Sequence, residues 1–464
     1  MKISFRTLMA GIVAAPLAAA SAFSTEEPSN RVPPCFVVIL ADDMGWADLG
    51  HDGSRIDTPN LDRLAREGAK LSRFYASAPM CSPTRAALLT GRYPHSVGMP
   101  ELASSQQRGA VPVLSLSHEA ITLPEALKPA GYRSAAVGKW HLGYGLDNAP
   151  RTHGFDEFWG SLLGTPQYWE PRETYHNETP IKVTGHFTDA ITDFAVAWLR
   201  GEAQTERPFF LYLAYNAPHY PLEAPADLVY KYRRRFPDRG LFAIYAAMVE
   251  HLDRGIGRVL ATLDELHLAD RTVVVFTSDN GPSAEPNSYG PEGADFSNGP
   301  LRGFKFGLHE GGVRVPFLAR WPGHIPPGLV RAEPAITMDI LPTLLNAAGI
   351  VPDAGHEIHG TSILPLLENR PFKRRDAFHW ENQQNAAVLA GEWKLLIRPW
   401  LKEPLLYRPG DDASESTDLA ANNPDKVAEL LALHARWRSG YYPNPLPQQT
   451  IRSSYFFPAT REDP

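Results

Sequence analysis

The chain predicts an α/β fold: a large, mostly parallel mixed sheet flanked by helices, followed by a smaller α+β unit at the C-terminus. Three observations predict it. Short, apolar, β-prone runs alternate with helical patterns over most of the length, which is the signature of a parallel sheet with crossover helices. The texture changes near residue 375, where a hairpin-like run and one amphipathic helix replace the alternation. The chain also has 464 residues, 43% of them hydrophobic, enough for one large buried core and a second small one.

Taken in order, residues 1–22 read as a signal peptide, which predicts export to the periplasm or beyond the cell. Lys2 and Arg6 are its positive start, Thr7 to Ala20 its short apolar stretch, and Ala20-Ser21-Ala22 its cleavage site. A buried N-terminal helix is the alternative. No later stretch is long and apolar enough to cross a bilayer. Phe36 to Leu40 reads as a buried strand, and Thr58-Pro59 opens a helix to about Glu67 with proline at its first position. Leu123 to Ala130 reads as a helix, and Tyr132 to Val137 and Phe209 to Ala214 as strands. A long helix from about Leu241 to Leu266 places Tyr245, Met248, Leu252, Ile256, Val259 and Leu263 on one face. Thr272 to Phe276 and Val315 to Ala319 are further strands, and Met338 to Ala348 another helix. Residues 23–375 are expected to form the large α/β domain. Residues 376–464 are expected to form a small domain with a hairpin at Ala386 to Ile397 and a helix at Val427 to Arg438.

The formal net charge is −7, so the chain has no basic field for nucleic acid, and an anionic substrate needs a local group of cations. The 43 prolines point to many shaped loops. Two cysteines are too few for a disulfide framework. Cys35 begins an apolar strand and reads as a small buried hydrophobe.

Ligands of open α/β sheets bind beyond the carboxyl ends of the strands. Four predicted strands end in Asp42-Asp43, in Gly138-Lys139-Trp140-His141, in Asn216-Ala217-Pro218-His219 and in Asp279-Asn280-Gly281. Asp42, Asp43, Asp279 and Asn280 are oxygen donors of the kind that hard cations such as Ca²⁺ and Mg²⁺ prefer. One such pair would be an ordinary cap or turn; two pairs at equivalent strand ends favour a metal. Cys81-Ser82-Pro83-Thr84-Arg85 precedes the apolar run Ala86 to Leu89. With Ser82 as N-cap and Pro83 as first helical residue, Cys81 would stand just outside a helix N-terminus. Backbone N–H groups and Arg85 there would favour an anion and, in an unmodified chain, a reactive thiol of low pKa. The plain alternative is a structural cysteine near a turn.

The run Cys81-Ser82-Pro83-Thr84-Arg85, continued by Ala86-Ala87-Leu88-Leu89-Thr90-Gly91-Arg92, resembles the signature of type I sulfatases, whose fold is alkaline-phosphatase-like. A second family signature is recognisable from Gly131-Tyr132 to Gly138-Lys139-Trp140-His141-Leu142-Gly143. The Asp42-Asp43-Met44-Gly45 and Asp279-Asn280-Gly281 turns match in kind and order, as does the run from Leu301-Arg302-Gly303-Phe304-Lys305 to Glu310-Gly311-Gly312. The resemblance spans roughly residues 34–440, and the two signatures together are highly specific. It departs from the commonest pattern at Leu406-Tyr407-Arg408-Pro409-Gly410.

The resemblance implies that Cys81 is oxidised to Cα-formylglycine by a formylglycine-generating enzyme, and that its hydrate is the nucleophile. It implies that Asp42, Asp43, Asp279 and Asn280 hold Ca²⁺, with residue 81 completing the shell; Mg²⁺ would accept the same donors. Arg85 would help to lower the pKa of the attacking hydroxyl. Lys139 and Lys305 would neutralise sulfate oxygens, and His219, with Lys305, would protonate the leaving alcohol. His141 would deprotonate the second hydroxyl. Singly, Lys139, His219 and Lys305 also read as ordinary loop residues. His51, His95, His309 and Glu310 are expected substrate contacts at most. The aromatics from Ser161 to Asn177 suit either a sugar-stacking wall or plain core. Gly154-Phe155-Asp156 to Gly164 is more similar to N-acetylgalactosamine-4-sulfatase-type members.

Three functions follow as expectations: hydrolysis of a sulfated sugar, glycosaminoglycan or aryl sulfate; a phosphate mono- or diesterase on the same fold; or a non-catalytic binder of sulfated glycans.

Overall fold

The computed structural model describes residues 33–104, 114–284, 297–374, 376–382, 385–398 and 403–441. The expected signal peptide lies outside the described residues, as does the end of the C-terminal segment. Among the described residues no helix is long and apolar enough to cross a membrane.

Four β-prone runs form the centre of a ten-stranded mixed sheet: Cys35–Ala41 (β1), Arg133–Lys139 (β2), Phe209–Ala214 (β3) and Thr272–Ser278 (β4). Their spatial order is β4-β1-β3-β2, and every neighbouring pair is parallel. All four therefore end on one rim. Antiparallel strands occur further out, at Phe317–Arg320 on one side and Thr174–His176 on the other. Parallel strands with both faces covered should read as continuous apolar runs, and these do.

Alternation within β1 shows the layers. Cys35, Val37 and Ile39 pack with Leu61 and Leu64 of helix α1 (Pro59–Glu67), Ile191 and Leu199 of α3 (Phe187–Glu202), and Leu252 and Ile256 of α4 (Gly240–Glu265). Phe36, Val38 and Leu40 face the opposite layer, with Leu88 and Leu89 of α2 (Cys81–Thr90) and Leu341 and Leu344 of the Ile340–Ala347 helix. The face expected for α4 is buried throughout, from Tyr245 to Leu263. Gly138 shows how tightly the strands are set: its φ is +106°, and a Cβ would lie 2.0 Å from the Ala214 carbonyl oxygen.

The structure corrects one strand. Val315 to Ala319 is not continuous: Arg314–Val315 pairs with Phe74–Tyr75 in a three-stranded sheet, whereas Phe317–Arg320 joins the large sheet. Pro316 between them has no N–H to give a ladder, and its carbonyl accepts from Thr277 Oγ1 at 2.8 Å.

The C-terminal part is an antiparallel four-stranded sheet, Phe378–Asn382, Asn385–Ala390, Trp393–Ile397 and Leu405–Tyr407, with helix α5 (Pro424–Tyr441) against it. It is joined to the large sheet's loops by buried charge. Lys394 Nζ lies 2.8 Å from Glu310 Oε1 and 3.0 Å from Glu415 Oε1. Glu415 Oε2 accepts from His309 Nδ1 at 2.8 Å and from the Glu310 backbone N–H at 2.7 Å. His309 and Glu310, expected as substrate contacts at most, are structural ties instead.

Breaking a buried ion pair on one side strands the other charge. Lys394→Ala is therefore expected to cost about 3–5 kcal/mol in chemical denaturation. An unchanged midpoint would show that the network carries no stability. Burial opposes the charge on Glu415, yet Lys394 and then His309 hold its carboxyl down at about 2. A carboxyl lowered from 4.5 contributes stability above that pH and loses it as the pH falls toward 2. Wild-type Tm should fall through that window, and Glu415→Gln should flatten this part of the fall.

Candidate active site

The central strands deliver their terminal residues to one buried cluster. Asp42 and Asp43 follow β1, Lys139 ends β2 with His141 two residues on, Asn216 and His219 follow β3, and Asp279 and Asn280 follow β4. Each is at least nine-tenths buried. Asp43 and His141 turn the chain through positive φ, +63° and +56°. The Asp43 turn is braced by α4: Tyr245 donates its hydroxyl to the Asp43 carbonyl at 3.3 Å and accepts from the Gly45 N–H at 3.2 Å.

Cys81 and Arg85 come from α2, all ten residues of which are buried. The N-cap is Met80, in extended conformation, so Cys81 is the first helical residue rather than a residue outside the helix. Ser82 does not cap; its hydroxyl accepts from the Ala103 N–H at 3.0 Å. Ser82 and Pro83 therefore lie inside the first turn, two residues further along the helix than expected. The expected low-pKa thiol is also corrected. Burial, then the Asp279 and Asp42 charges, pushes the Cys81 thiol well above its ordinary value.

Three carboxylates and three cations interlock around Cys81. Arg85 grips Asp279 Oδ2 with Nε at 2.9 Å and Nη2 at 2.7 Å. Its Nη1 donates to the Lys139 carbonyl at 3.1 Å, and its Nη2 lies 3.6 Å from Asp42 Oδ2. The Lys139 ammonium pairs with Asp42, and Lys305 Nζ stands 2.9 Å from Asp43 Oδ1. Cys81 Sγ lies 3.3 Å from Asp42 Oδ1. Although burial opposes its charge, Asp42 is held well below the usual carboxylate range by Lys139, then His219 and Arg85. Burial and the Asp42 charge push Asp279 the other way, against Arg85.

A hard cation fits this centre. One ligand atom from each of Asp42, Asp43, Cys81 and His219 lies within 4.8 Å of the others. Asn280 donates through Nδ2 to Asp43 Oδ1 at 2.6 Å and to the Gly281 carbonyl at 2.9 Å. That leaves its buried Oδ1 with no hydrogen-bond partner among the described residues. A buried amide oxygen beside three carboxylates is the donor chemistry Ca²⁺ and Mg²⁺ take.

Lys305 arrives on a loop pinned from three sides. Its own N–H donates to the Pro282 carbonyl at 3.0 Å, and the Phe306 N–H to the Pro79 carbonyl at 2.8 Å. The Phe306 carbonyl accepts from Asn382 Nδ2 of the C-terminal sheet at 2.6 Å. Lys305 Nζ is 3.1 Å from His219 Nε2, while His219 Nδ1 is 2.6 Å from the Tyr220 carbonyl. A carbonyl can only accept, so Nδ1 carries the proton and Nε2 receives from the ammonium. Burial, then the Lys305 charge, keeps His219 down at about 4. His141 is pushed well below its usual value by burial and then Lys139.

All the residues expected from sequence thus meet: Asp42, Asp43, Cys81, Arg85, Lys139, His141, His219, Asp279, Asn280 and Lys305. Three neighbours of the cluster have no role assigned from sequence. Asn216, at the end of β3, has no hydrogen-bond partner for either side-chain polar atom among the described residues. Tyr168, in the undecided aromatic run, is core: its hydroxyl lies 2.7 Å from the Asn216 carbonyl and 2.8 Å from the His219 carbonyl. Trp169 beside it is half exposed. Gly164 is required by His141, since a Cβ there would lie 2.2 Å from His141 Nε2. Its strand end already marks Asn216 in the sequence; nothing local flags Gly164.

Residues 34–350 match the family model described as Sulfatase. The N-acetylgalactosamine-6-sulfatase of Homo sapiens is 37% identical over 404 residues, covering 82% of this chain and 74% of that protein. The steryl-sulfatase of Mus musculus is 33% identical, over 82% and 73%. Among solved structures, that of Ps i-CgsB in complex with k-i-k-neocarrahexaose superposes with a TM-score of 0.81 at 30% identity, over 90% of this chain and 95% of that one. The N-acetylgalactosamine sulfatase named here is a 6-sulfatase, not of the 4-sulfatase type toward which residues 154–164 pointed.

Gly164→Ala should displace the His141 imidazole. Misplacing a reacting group by about 1 Å can cost 10²-fold, so turnover should fall by roughly that factor while Tm changes little. Unaltered turnover would show that His141 has no role or that its ring relocates freely.

Proposed function

The chain belongs to the sulfatase family and is a sulfuric ester hydrolase, and from that premise we propose that Cys81, converted to Cα-formylglycine, supplies its nucleophile. The observation that carries this reading is the position of Cys81: first residue of a buried helix, against Asp42, inside a ring of carboxylates and cations. A thiol in that setting is kept protonated and is a poor nucleophile as it stands. Formylglycine, once made by a formylglycine-generating enzyme, offers a hydrated carbonyl in its place. Asp42, Asp43, Asp279 and Asn280 would hold Ca²⁺. When bound, the ion supplies Lewis-acid stabilisation of the sulfate and acidifies a neighbouring hydroxyl.

The chain's own residues divide the remaining work. Arg85 fixes Asp279 and closes the floor between β1 and β4. Lys139 and Lys305 bring positive charge to where sulfate oxygens gain negative charge. The Lys305 ammonium donates to His219 Nε2, so this pair holds a proton that can pass to the departing alcohol oxygen. The low basicity of His219 makes it a strong acid once it receives that proton. His141 has a buried Nδ1 with no hydrogen-bond partner among the described residues, and as a neutral imidazole it can take a proton back.

The substrate we propose is a sulfated sugar or glycosaminoglycan, with aryl sulfates as surrogates. The names of the N-acetylgalactosamine-6-sulfatase and of the neocarrahexaose complex support a carbohydrate, and the half-exposed Trp169 next to the His219 support offers a ring a stacking face. Residues 1–22 would direct the chain out of the cytoplasm, residues 23–375 would form the catalytic domain, and residues 376–464 would hold its Lys305 loop.

Comparing 4-nitrophenyl sulfate with 4-nitrophenyl phosphate tests the reading: sulfate should be preferred, and a preference for phosphate would replace it with a phosphoesterase. Asp279→Ala should abolish turnover, and chelation should do the same until Ca²⁺ is returned. Recovery with Mg²⁺ but not Ca²⁺ would overturn the choice of ion. His219→Ala should lower kcat on a sugar sulfate by about 10²–10⁴-fold, and far less on 4-nitrophenyl sulfate, whose leaving group needs no proton. Equal losses on both substrates would remove His219 as the acid.

A further inference from the structure

A second group of metal-ligating side chains lies outside this centre. His186 caps the N-terminus of α3, Asp189 stands in its first turn, and His251 projects from the middle of α4. One ligand atom from each lies within 4.8 Å of the others. His186 and His251 are buried, with ring centroids 4.5 Å apart, whereas the Asp189 side chain is 53% exposed and opens the group to solvent.

The hydrogen bonding around this group is incomplete. His251 Nε2 lies 2.8 Å from Asp189 Oδ1, so that nitrogen donates. Its buried Nδ1 then keeps a lone pair with no partner among the described residues. Both contacts of His186 are long: Nδ1 to the Thr188 N–H at 3.3 Å, and Nε2 to the Glu223 carbonyl at 3.3 Å. Two buried imidazoles thus stand side by side at a carboxylate, and the unpartnered Nδ1 of His251 can take the ring proton and leave Nε2, beside Asp189, to ligate. Burial, then His251, keeps His186 down at about 4, so it is neutral at pH 7 and free to ligate.

We propose that His186, Asp189 and His251 form a second metal site that takes a borderline transition ion, with Zn²⁺ as the reference, distinct from the oxygen-rich centre at Cys81. The donor set decides the ion: two imidazoles and one carboxylate suit Zn²⁺, whose nitrogen and oxygen bonds are about 2.0–2.2 Å, and give Ca²⁺ too few oxygens. The Glu223 carbonyl is at hand as a further oxygen. The ion would tie the start of α3 to α4. The His186 ring also lies 5.1 Å from that of Tyr168, whose hydroxyl reaches the Asn216 and His219 carbonyls. The site therefore stiffens the wall behind His219 without touching substrate.

The test is equilibrium dialysis of the full-length protein against Zn²⁺ with Ca²⁺ in excess, the metal being counted by mass spectrometry and Tm read in parallel. Wild type should retain one Zn²⁺ and gain Tm. His251→Gln and Asp189→Ala should weaken Zn²⁺ binding more than about tenfold, because loss of a ligand costs at least what loss of its supporting partner does. Asp279→Ala, which dismantles the other centre, should retain the ion. If His251→Gln does not fold, Asp189→Ala decides alone, since its side chain is half exposed. The proposal is overturned if wild type keeps no Zn²⁺, if Asp189→Ala keeps as much as wild type, or if the ion is lost with Asp279→Ala instead.

Discussion

The rest of the molecule is arranged around the interlocked ion pairs Asp42–Lys139, Asp279–Arg85 and Asp43–Lys305, set where four parallel strands end. Removing a charge from water costs several kcal/mol, and such a cluster persists only when every member is matched and held. Here the matching is nearly closed: three carboxylates face three cations at no more than 4% exposure. The six partners come from five segments, so the cluster forms only if β1, β2, β4, α2 and the Lys305 loop reach their places together. Positive φ at Asp43 and His141 is the conformational cost of turning those side chains inward.

That requirement explains features that look unrelated when taken singly. Tyr245 of α4 braces the Asp43 turn, and Tyr168 braces the carbonyls around His219. The C-terminal sheet reaches over the large sheet's rim, with Asn382 on the Phe306 carbonyl and Lys394 between Glu310 and Glu415. The small domain thus presents Lys305 to the cluster rather than merely following it. The same logic suits chemistry on a sulfate ester: cations already paired and fixed need no reorganisation when negative charge moves onto the sulfate oxygens.

Much of this was legible in the sequence, and the reasons are physical. Strands buried on both faces must be continuously apolar, so β1, β3 and β4 were visible as runs, and α4 was visible from its buried face. The strand ends then pointed to Asp42, Lys139, His219 and Asp279 without any coordinates. What could not be read depends on contacts distant along the chain. The helix starts two residues earlier than expected, at Cys81 rather than Pro83, with the Ser82 hydroxyl turned to the distant Ala103 N–H. One expected strand divided at Pro316 because its two halves have different neighbours. His309 and Glu310 bond to Glu415, more than a hundred residues away, and the need for a bare Gly164 arises only from the His141 ring lying against it.

The central claim is that residue 81 acts as an aldehyde made from cysteine, and the mass of the peptide carrying it tests that most directly. Protein from its native host should yield a residue-81 peptide with formylglycine in place of cysteine, captured by a hydrazine probe. An unmodified thiol in protein that turns over sulfate esters would contradict the account.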